Sequence, residues 1–214
     1  MLENYKVLLW DFDGVIMDSM PIRSNGFGTV LQDYPAIQVK QLMDFHNLNG
    51  GLSRYVKFRY FFETIRGETI TEEEIQALAN SFSEIMLSSL INSELLITDS
   101  LSFIELNATG YEMHIVSGSD GTELNKICDA LGLTKFFKTI NGSPTPKKEL
   151  VNLLLKEYAY EKKDVILIGD SINDFEAADF NLIKFAGYNN VGLSDLGCGY
   201  INSFDPLKVS LNSN

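Results

Sequence analysis

The chain has 214 residues, with 17 Lys and Arg against 29 Asp and Glu and a formal net charge of −12. A composition of 45% hydrophobic and 21% charged residues is that of a globular protein long enough to bury its own core. The acidic balance and the lack of a basic run argue against nucleic-acid and anionic-membrane partners, and an anionic small molecule would need a locally positive pocket.

In chain order, the apolar run Val7-Leu-Leu-Trp10 reads as a strand buried on both faces, and it ends in Asp11-Phe-Asp13-Gly14. The stretch from 20 to 92 reads as helical. Arg54 to Ile65 carries Tyr55, Phe58, Tyr60, Phe61 and Phe62 at helical spacing. Thr71 with Glu74 forms a capping box ahead of Ile75, Leu78, Ala79, Phe82, Ile85, Met86 and Leu90. A second strand is expected over Tyr111 to Gly118 and a third over Asp164 to Asp170. Helices are expected after both, from Thr122 to Leu131 and from Asp174 to Phe180. Another runs from Lys147 to Tyr158, behind the break Pro144-Thr-Pro146. Strands alternating with helices predict an α/β fold with a doubly wound parallel sheet, interrupted by an inserted α-helical domain. The expected division is 1–18 and 93–214 for the core and 19–92 for the insertion.

Three strand ends collect chemistry-bearing residues, and ligands of open α/β sheets bind outside the carboxyl ends of strands. Asp11 and Asp13 point the same way from one strand, so their carboxylates repel unless a cation joins them or one keeps a proton. One would serve as nucleophile and the other as proton donor and acceptor, unless the pair is only an acidic turn. Ser117 and Gly118 offer a hydroxyl and backbone N–H groups as an anion cradle, or a plain turn. Gly169-Asp170 and Asp174 bring further carboxylates, one of which a helix cap would explain. With Asp11 they form a hard, oxygen-rich set suited to Mg²⁺. Lys147 or Lys148 opens a helix where the dipole disfavours a cation, so one of them is aimed at the acidic cluster or at a phosphate, or both are solvated. Together these parts describe phosphoryl transfer.

Cys128 and Cys198 form no metal-ligand pattern with His46 and His114 and read as reduced thiols. Both histidines, Trp10 and the aromatic stripe read as structural. Asn107-Ala-Thr and Asn141-Gly-Ser match the glycosylation pattern by chance, and the C-terminal Leu-Asn-Ser-Asn matches no lipidation or retention signal. No apolar run approaches the roughly 18 residues of a membrane span, and the expected location is the cytoplasm.

The motifs Asp11-Phe-Asp-Gly-Val with Asp18-Ser19, the strand ending at Ser117, Lys147 and Gly169-Asp170-x3-Asp174 resemble, in order and spacing, the haloacid-dehalogenase-like (HAD) hydrolase superfamily. The helical block is similar to that family's first type of cap domain. The resemblance implies a Rossmann-like core with a helical cap, and a Mg²⁺-dependent phosphatase of a small phosphorylated metabolite. It implies that Asp11 attacks phosphorus and forms an aspartyl-phosphate, and that Asp13 is the acid and base. Asp11, the Asp13 carbonyl and Asp170 would hold Mg²⁺, with Asp174 assisting the metal or orienting Lys147. Ser117, Gly118 and Lys147 would bind phosphate. An acid at position 13 favours phosphatase over dehalogenase. The cap loop Asn49-Gly-Gly-Leu-Ser53-Arg54 is similar to one in which the arginine reaches a substrate's second charged group, unless Ser53 merely caps a helix with Arg54 exposed. Hinges are expected at 18–20 and 92–98. The alternatives are a phosphosugar mutase of the same superfamily, a phospho-acceptor receiver domain and a non-catalytic binding relative. The partner is a small phosphate ester, and the oligomeric state is not legible.

Overall fold

The computed structural model describes residues 2–197 and 199–205. Cys198 and the C-terminal Leu-Asn-Ser-Asn lie outside the described residues. Six strands form one sheet: β1 (Val7–Trp10), β2 (Glu112–Asp120), β3 (Thr139–Ser143), β4 (Val165–Gly169), β5 (Lys184–Tyr188) and β6 (Gly199–Ile201). Their order is β3-β2-β1-β4-β5-β6, and every neighbouring pair is parallel. The expected doubly wound parallel sheet is therefore present, with β1 at its centre. The central strands read as unbroken apolar runs because helices cover both faces. Alternation sorts β1 between two cores: Leu8 and Trp10 join one apolar cluster, Val7 and Leu9 the other.

Between β1 and β2 lie α1 (Met20–Val30), α2 (Ala36–Leu48), α3 (Arg54–Tyr60) and α4 (Glu72–Leu90), followed by α5 (Thr98–Asn107). The helix expected over 54–65 divides: α3 ends at Tyr60 and the chain continues as a π-helical segment, Phe61–Arg66, stopped by Gly67 at φ +68°. The Thr71–Glu74 capping box forms as expected. The aromatic stripe is core: Phe27, Phe58, Phe61 and Phe82 are all buried and pack edge to face or tilted. The two chain crossings between sheet and helices run side by side. Asp18 N–H donates to the Leu95 carbonyl at 2.8 Å and Ile97 N–H to that of Ile16 at 2.9 Å.

The remaining crossovers are α6 (Gly121–Ala130), α7 (Lys147–Glu157) and α8 (Ile172–Asn181). The expected helices at 122–131, 147–158 and 174–180 are these three, shifted by a residue or two at their ends. His114 is buried in β2 and held by Thr139 Oγ1 at 2.7 Å and Tyr160 OH at 2.9 Å. Burial pushes its imidazole down to about 4, and Lys138 adds to this. The Cys128 thiol is buried and pushed up to about 12. Among the described residues, no helix is long and apolar enough to cross a membrane.

Candidate active site

The carboxyl ends of β1, β2 and β4 meet at one point, and the sequence-predicted residues Asp11, Asp13, Ser117, Gly118 and Asp170 line one cavity there. Asp11 leaves β1 directly: its N–H donates to the Ile168 carbonyl at 2.9 Å, and its Oδ1 accepts from Phe12 N–H at 2.8 Å. Gly14 follows with φ +74°, and a methyl group on it would lie 1.9 Å from Asp170 Oδ2. Only glycine supplies both the left-handed backbone and the room for Asp170.

Lys147 is the buried lysine at the start of α7, while Lys148 is exposed. Lys147 Nζ lies 2.9 Å from Asp11 Oδ1 and donates a short hydrogen bond to Asp174 Oδ1. Of the two lysines the sequence offered, Lys147 is thus the one placed at the acidic cluster. Asp174 is fully buried and does two jobs. Its Oδ2 accepts from Ser171 N–H at 3.0 Å and Ser171 Oγ–H at 2.7 Å, closing a capping box on α8, while Oδ1 receives Lys147. The helix cap is thus Ser171 rather than either aspartate.

Asp11, Asp170 and Asp174 each offer an oxygen, and these oxygens lie within 4.8 Å of one another. Burial and the neighbouring Asp174 raise the Asp11 carboxyl, against the pull of Lys147. Burial and Asp11 raise Asp170. Three carboxylates thus crowd around a single ammonium. Their hard oxygen donors and excess negative charge fit a divalent cation such as Mg²⁺.

Asp13 faces the other way. Its Oδ1 accepts from Arg23 Nε at 2.5 Å and from the Ser19 hydroxyl, and its Oδ2 from Ser119 Oγ–H at 2.5 Å. Burial pushes this carboxyl up, but Arg23 and the two hydroxyls outweigh it and hold it below the usual carboxylate range. Ser117 Oγ accepts from Ser119 N–H at 3.1 Å, which shapes the turn that opens beside Gly118.

The helical insertion closes over these groups. A methyl group on Gly118 would meet the Gly51 carbonyl oxygen at 2.2 Å, so backbone rests on backbone where the two parts touch. Ser53 caps α3 by accepting from Val56 N–H at 3.4 Å, as expected, but Arg54 is buried, not exposed. Arg54 lines the cavity with its guanidinium occupied. Nη1 donates to Ser83 Oγ at 2.6 Å, Nη2 lies 2.7 Å from Glu123 Oε2 as an ion pair, and the group sits over the Phe82 ring.

Four residues of this site escaped the sequence reading: Arg23, Glu123, Lys57 and Ser119. Glu123, in the first turn of α6, is 1% exposed and bridges Arg23 Nη1 at 3.1 Å and Arg54. Lys57 is 3% exposed, donates to the Gly50 carbonyl at 3.1 Å, and is pushed down to about 7, chiefly by burial. His46, read as structural, is 1% exposed and lines the cavity with neither ring nitrogen hydrogen-bonded. The cavity is partly open, and its free volume is about 30 Å³, room for a water or two.

A parallel α/β sheet with paired acidic strand ends and an opposed lysine defines a class of hydrolases. The family profile of the haloacid dehalogenase-like hydrolases matches residues 8–188, and the chain belongs to that family. Phosphoglycolate phosphatase of Colwellia psychrerythraea is 24% identical over 96% of this chain and 92% of its own. Among solved structures, β-phosphoglucomutase from Clostridium difficile superposes with a TM-score of 0.75 at 17% identity, covering 97% and 95% of the two chains. The HAD hydrolase YfnB of Bacillus subtilis, described as bound to magnesium and as revealing interdomain movement, does so with a TM-score of 0.70 at 18% identity, covering 98% and 99%. The chain is accordingly a HAD-like hydrolase, and the curated relatives it matches are phosphatases.

Proposed function

We propose that this protein is a phosphatase of small phosphate esters that works through an aspartyl-phosphate on Asp11. The observation that carries this reading is the placement of Asp11 between Lys147 and Asp170, with Asp13 turned toward a separate set of donors. An Asp11 oxygen forms a bond to phosphorus as the ester P–O bond breaks, and Asp13 gives its proton to the departing oxygen. Asp13 then takes a proton from water, the water oxygen bonds to phosphorus, and the Asp11–phosphorus bond breaks to release inorganic phosphate. The Arg23 contact favours the ionised form that accepts this proton, and the proton taken from water leaves Asp13 ready for the next ester.

Ser117, the Gly118 N–H and Lys147 bind the phosphoryl oxygens. Lys147 also offsets the charge of Asp11. Asp11, Asp170 and Asp174, with the Asp13 carbonyl, would hold Mg²⁺, which supplies charge neutralisation between the carboxylate and the incoming phosphate.

Residues 19–92 act as a cap whose hinges are 18–20 and 92–98. In this reading the cap opens to admit substrate and closes to exclude water, and the small free volume over Asp11 and Asp13 supports it. The closed protein acts where bulk water is scarce, which favours transfer to a bound acceptor as well as hydrolysis, so the mutase reading stays the second one. Product analysis separates them: hydrolysis releases inorganic phosphate, whereas a mutase returns an isomeric phosphoester. The test of the proposal is hydrolysis of p-nitrophenyl phosphate and 2-phosphoglycolate, with Mg²⁺ and with EDTA, by wild type and Asp11→Asn. Turnover requiring both Mg²⁺ and Asp11 is expected, and undiminished turnover by the variant would refute the mechanism.

A further inference from the structure

Resting on the phosphatase reading, we infer that the ester's leaving group carries a second anionic group, and that Lys57, rather than Arg54, is the cation that selects it. The argument begins with the cations of the cap. Arg54 meets Glu123, Ser83 Oγ and the Phe82 ring and is consumed by them. Arg23 spends Nε on Asp13 and Nη1 on Glu123. Arg23 and Arg54 thus hold Asp13 and Glu123 by direct contact, whereas Asp13 and Asp11 act on Lys57 only at longer range. Among the described residues it pairs with no carboxylate. Its contacts are the Gly50 carbonyl at 3.1 Å and the Phe27 ring, 5.8 Å from the ammonium.

An ammonium buried with no carboxylate in contact is costly to keep charged, and a bound anion would supply the missing contact. Two further polar groups point to the same place. Arg23 Nη2 and both ring nitrogens of His46 are buried without hydrogen-bond partners, and Arg23, His46 and Lys57 all line the cavity that Asp11 and Asp13 share. An anionic oxygen group there would pair with Lys57 and accept from Arg23 Nη2, while His46 donates or accepts with whichever tautomer suits. The phosphoryl group at Asp11 and this second anion would lie among residues lining one cavity, which favours a short leaving group. The shared chemistry is that of a carboxylate or a second phosphate.

The probes are 2-phosphoglycolate, a short alkanediol bisphosphate and 2-hydroxyethyl phosphate, which has no second charge. Each is titrated calorimetrically into Asp11→Asn protein in the presence of Mg²⁺, alone and combined with Lys57→Gln or Lys57→Met. This binding measurement is independent of turnover, so it stands if the phosphatase mechanism fails. At least one anionic ester is expected to bind at least about tenfold more tightly than the neutral one. Both Lys57 substitutions should remove that preference while moving the neutral ester's affinity by less than about threefold. Whichever anionic ester shows the preference identifies the group as carboxylate or phosphate. Lys57→Gln keeps a donor for Gly50, so a glutamine variant that retains the preference would show that Lys57 only braces the loop. No preference in the parent protein, or equal losses for all three esters, would overturn the inference. With active enzyme, the same substitutions should act on KM for the anionic ester more than on kcat.

Discussion

The two halves of the active site carry opposite imbalances of charge. On the sheet side, Asp11, Asp170 and Asp174 face one lysine. On the cap side, Arg23, Arg54 and Lys57 face Asp13 and Glu123. Each half is buried, so neither is relieved by solvent; in the reading proposed above, a divalent cation would complete the one and an anionic leaving group the other. The chain's net charge of −12 hides this. A strongly acidic protein thus gathers buried cations on the helices that lie over its acidic strand ends.

The largest effect that would break this contrast is expected at Asp11. Asp11→Asn should lower kcat by at least about 10³-fold with an unchanged circular dichroism spectrum, because it removes the nucleophile and leaves the packing. Glu123→Gln comes next. It leaves Arg23 and Arg54 buried with one carboxylate fewer, at a cost of about 3–5 kcal/mol in denaturant unfolding. A loss below about 1 kcal/mol would mean that the cap is already open in solution. Removing a carboxylate from the sheet side has the opposite sense. Asp170→Asn relieves the crowding around Asp11, so the metal-free protein should be as stable as wild type or more so, while Mg²⁺ affinity measured by calorimetry falls at least about tenfold.

His114 sharpens the comparison from outside the site. Its imidazole is depressed from 6.5 to about 4, so below pH 6.5 the unfolded chain binds a proton that the folded protein refuses. The stability owed to neutral His114 is complete above pH 6.5 and is lost as pH falls toward 4. The difference in unfolding free energy between wild type and His114→Gln should therefore shrink by roughly 1–2 kcal/mol between pH 7 and pH 4.5. A gap that does not change with pH would mean that His114 takes up its proton normally in the folded protein. The smallest effect is expected at Arg59, whose pairs with Glu63 and Glu72 lie at the surface. Arg59→Ala should leave the denaturant midpoint close to that of wild type, in contrast to Glu123.

The sheet half of the site was legible because its residues are local in sequence. Asp11-x-Asp13-Gly14 and Gly169-Asp170-x3-Asp174 each sit within a few residues of an apolar strand, and the strand itself locates them. The cap half was not. Arg23 lies in a helix, Met-Pro-Ile-Arg-Ser-Asn-Gly-Phe-Gly-Thr-Val, with no apolar stripe to orient it, and Glu123 a hundred residues later looks like an ordinary acid in a first helical turn. Their meeting is a tertiary event that no spacing rule encodes. Ser119 was overlooked because Ser117 lies two residues before it on the same strand face and satisfied the same expectation. The outer strands β3, β5 and β6 were missed for another reason. Thr-Ile-Asn-Gly-Ser and Lys-Phe-Ala-Gly-Tyr are short, and glycine interrupts both apolar patterns.

Asp174 holds the start of α8 with one oxygen and Lys147 with the other. Position 170 braces no helix: among the described residues its side chain accepts no hydrogen bond, and only its backbone carbonyl is engaged, by Asn190. A mutational scan scored by abundance and by catalysis would therefore separate two aspartates that look equivalent in the sequence. Variants at 174 would fall on both axes together, whereas those at 170 would stay abundant and lose catalysis alone.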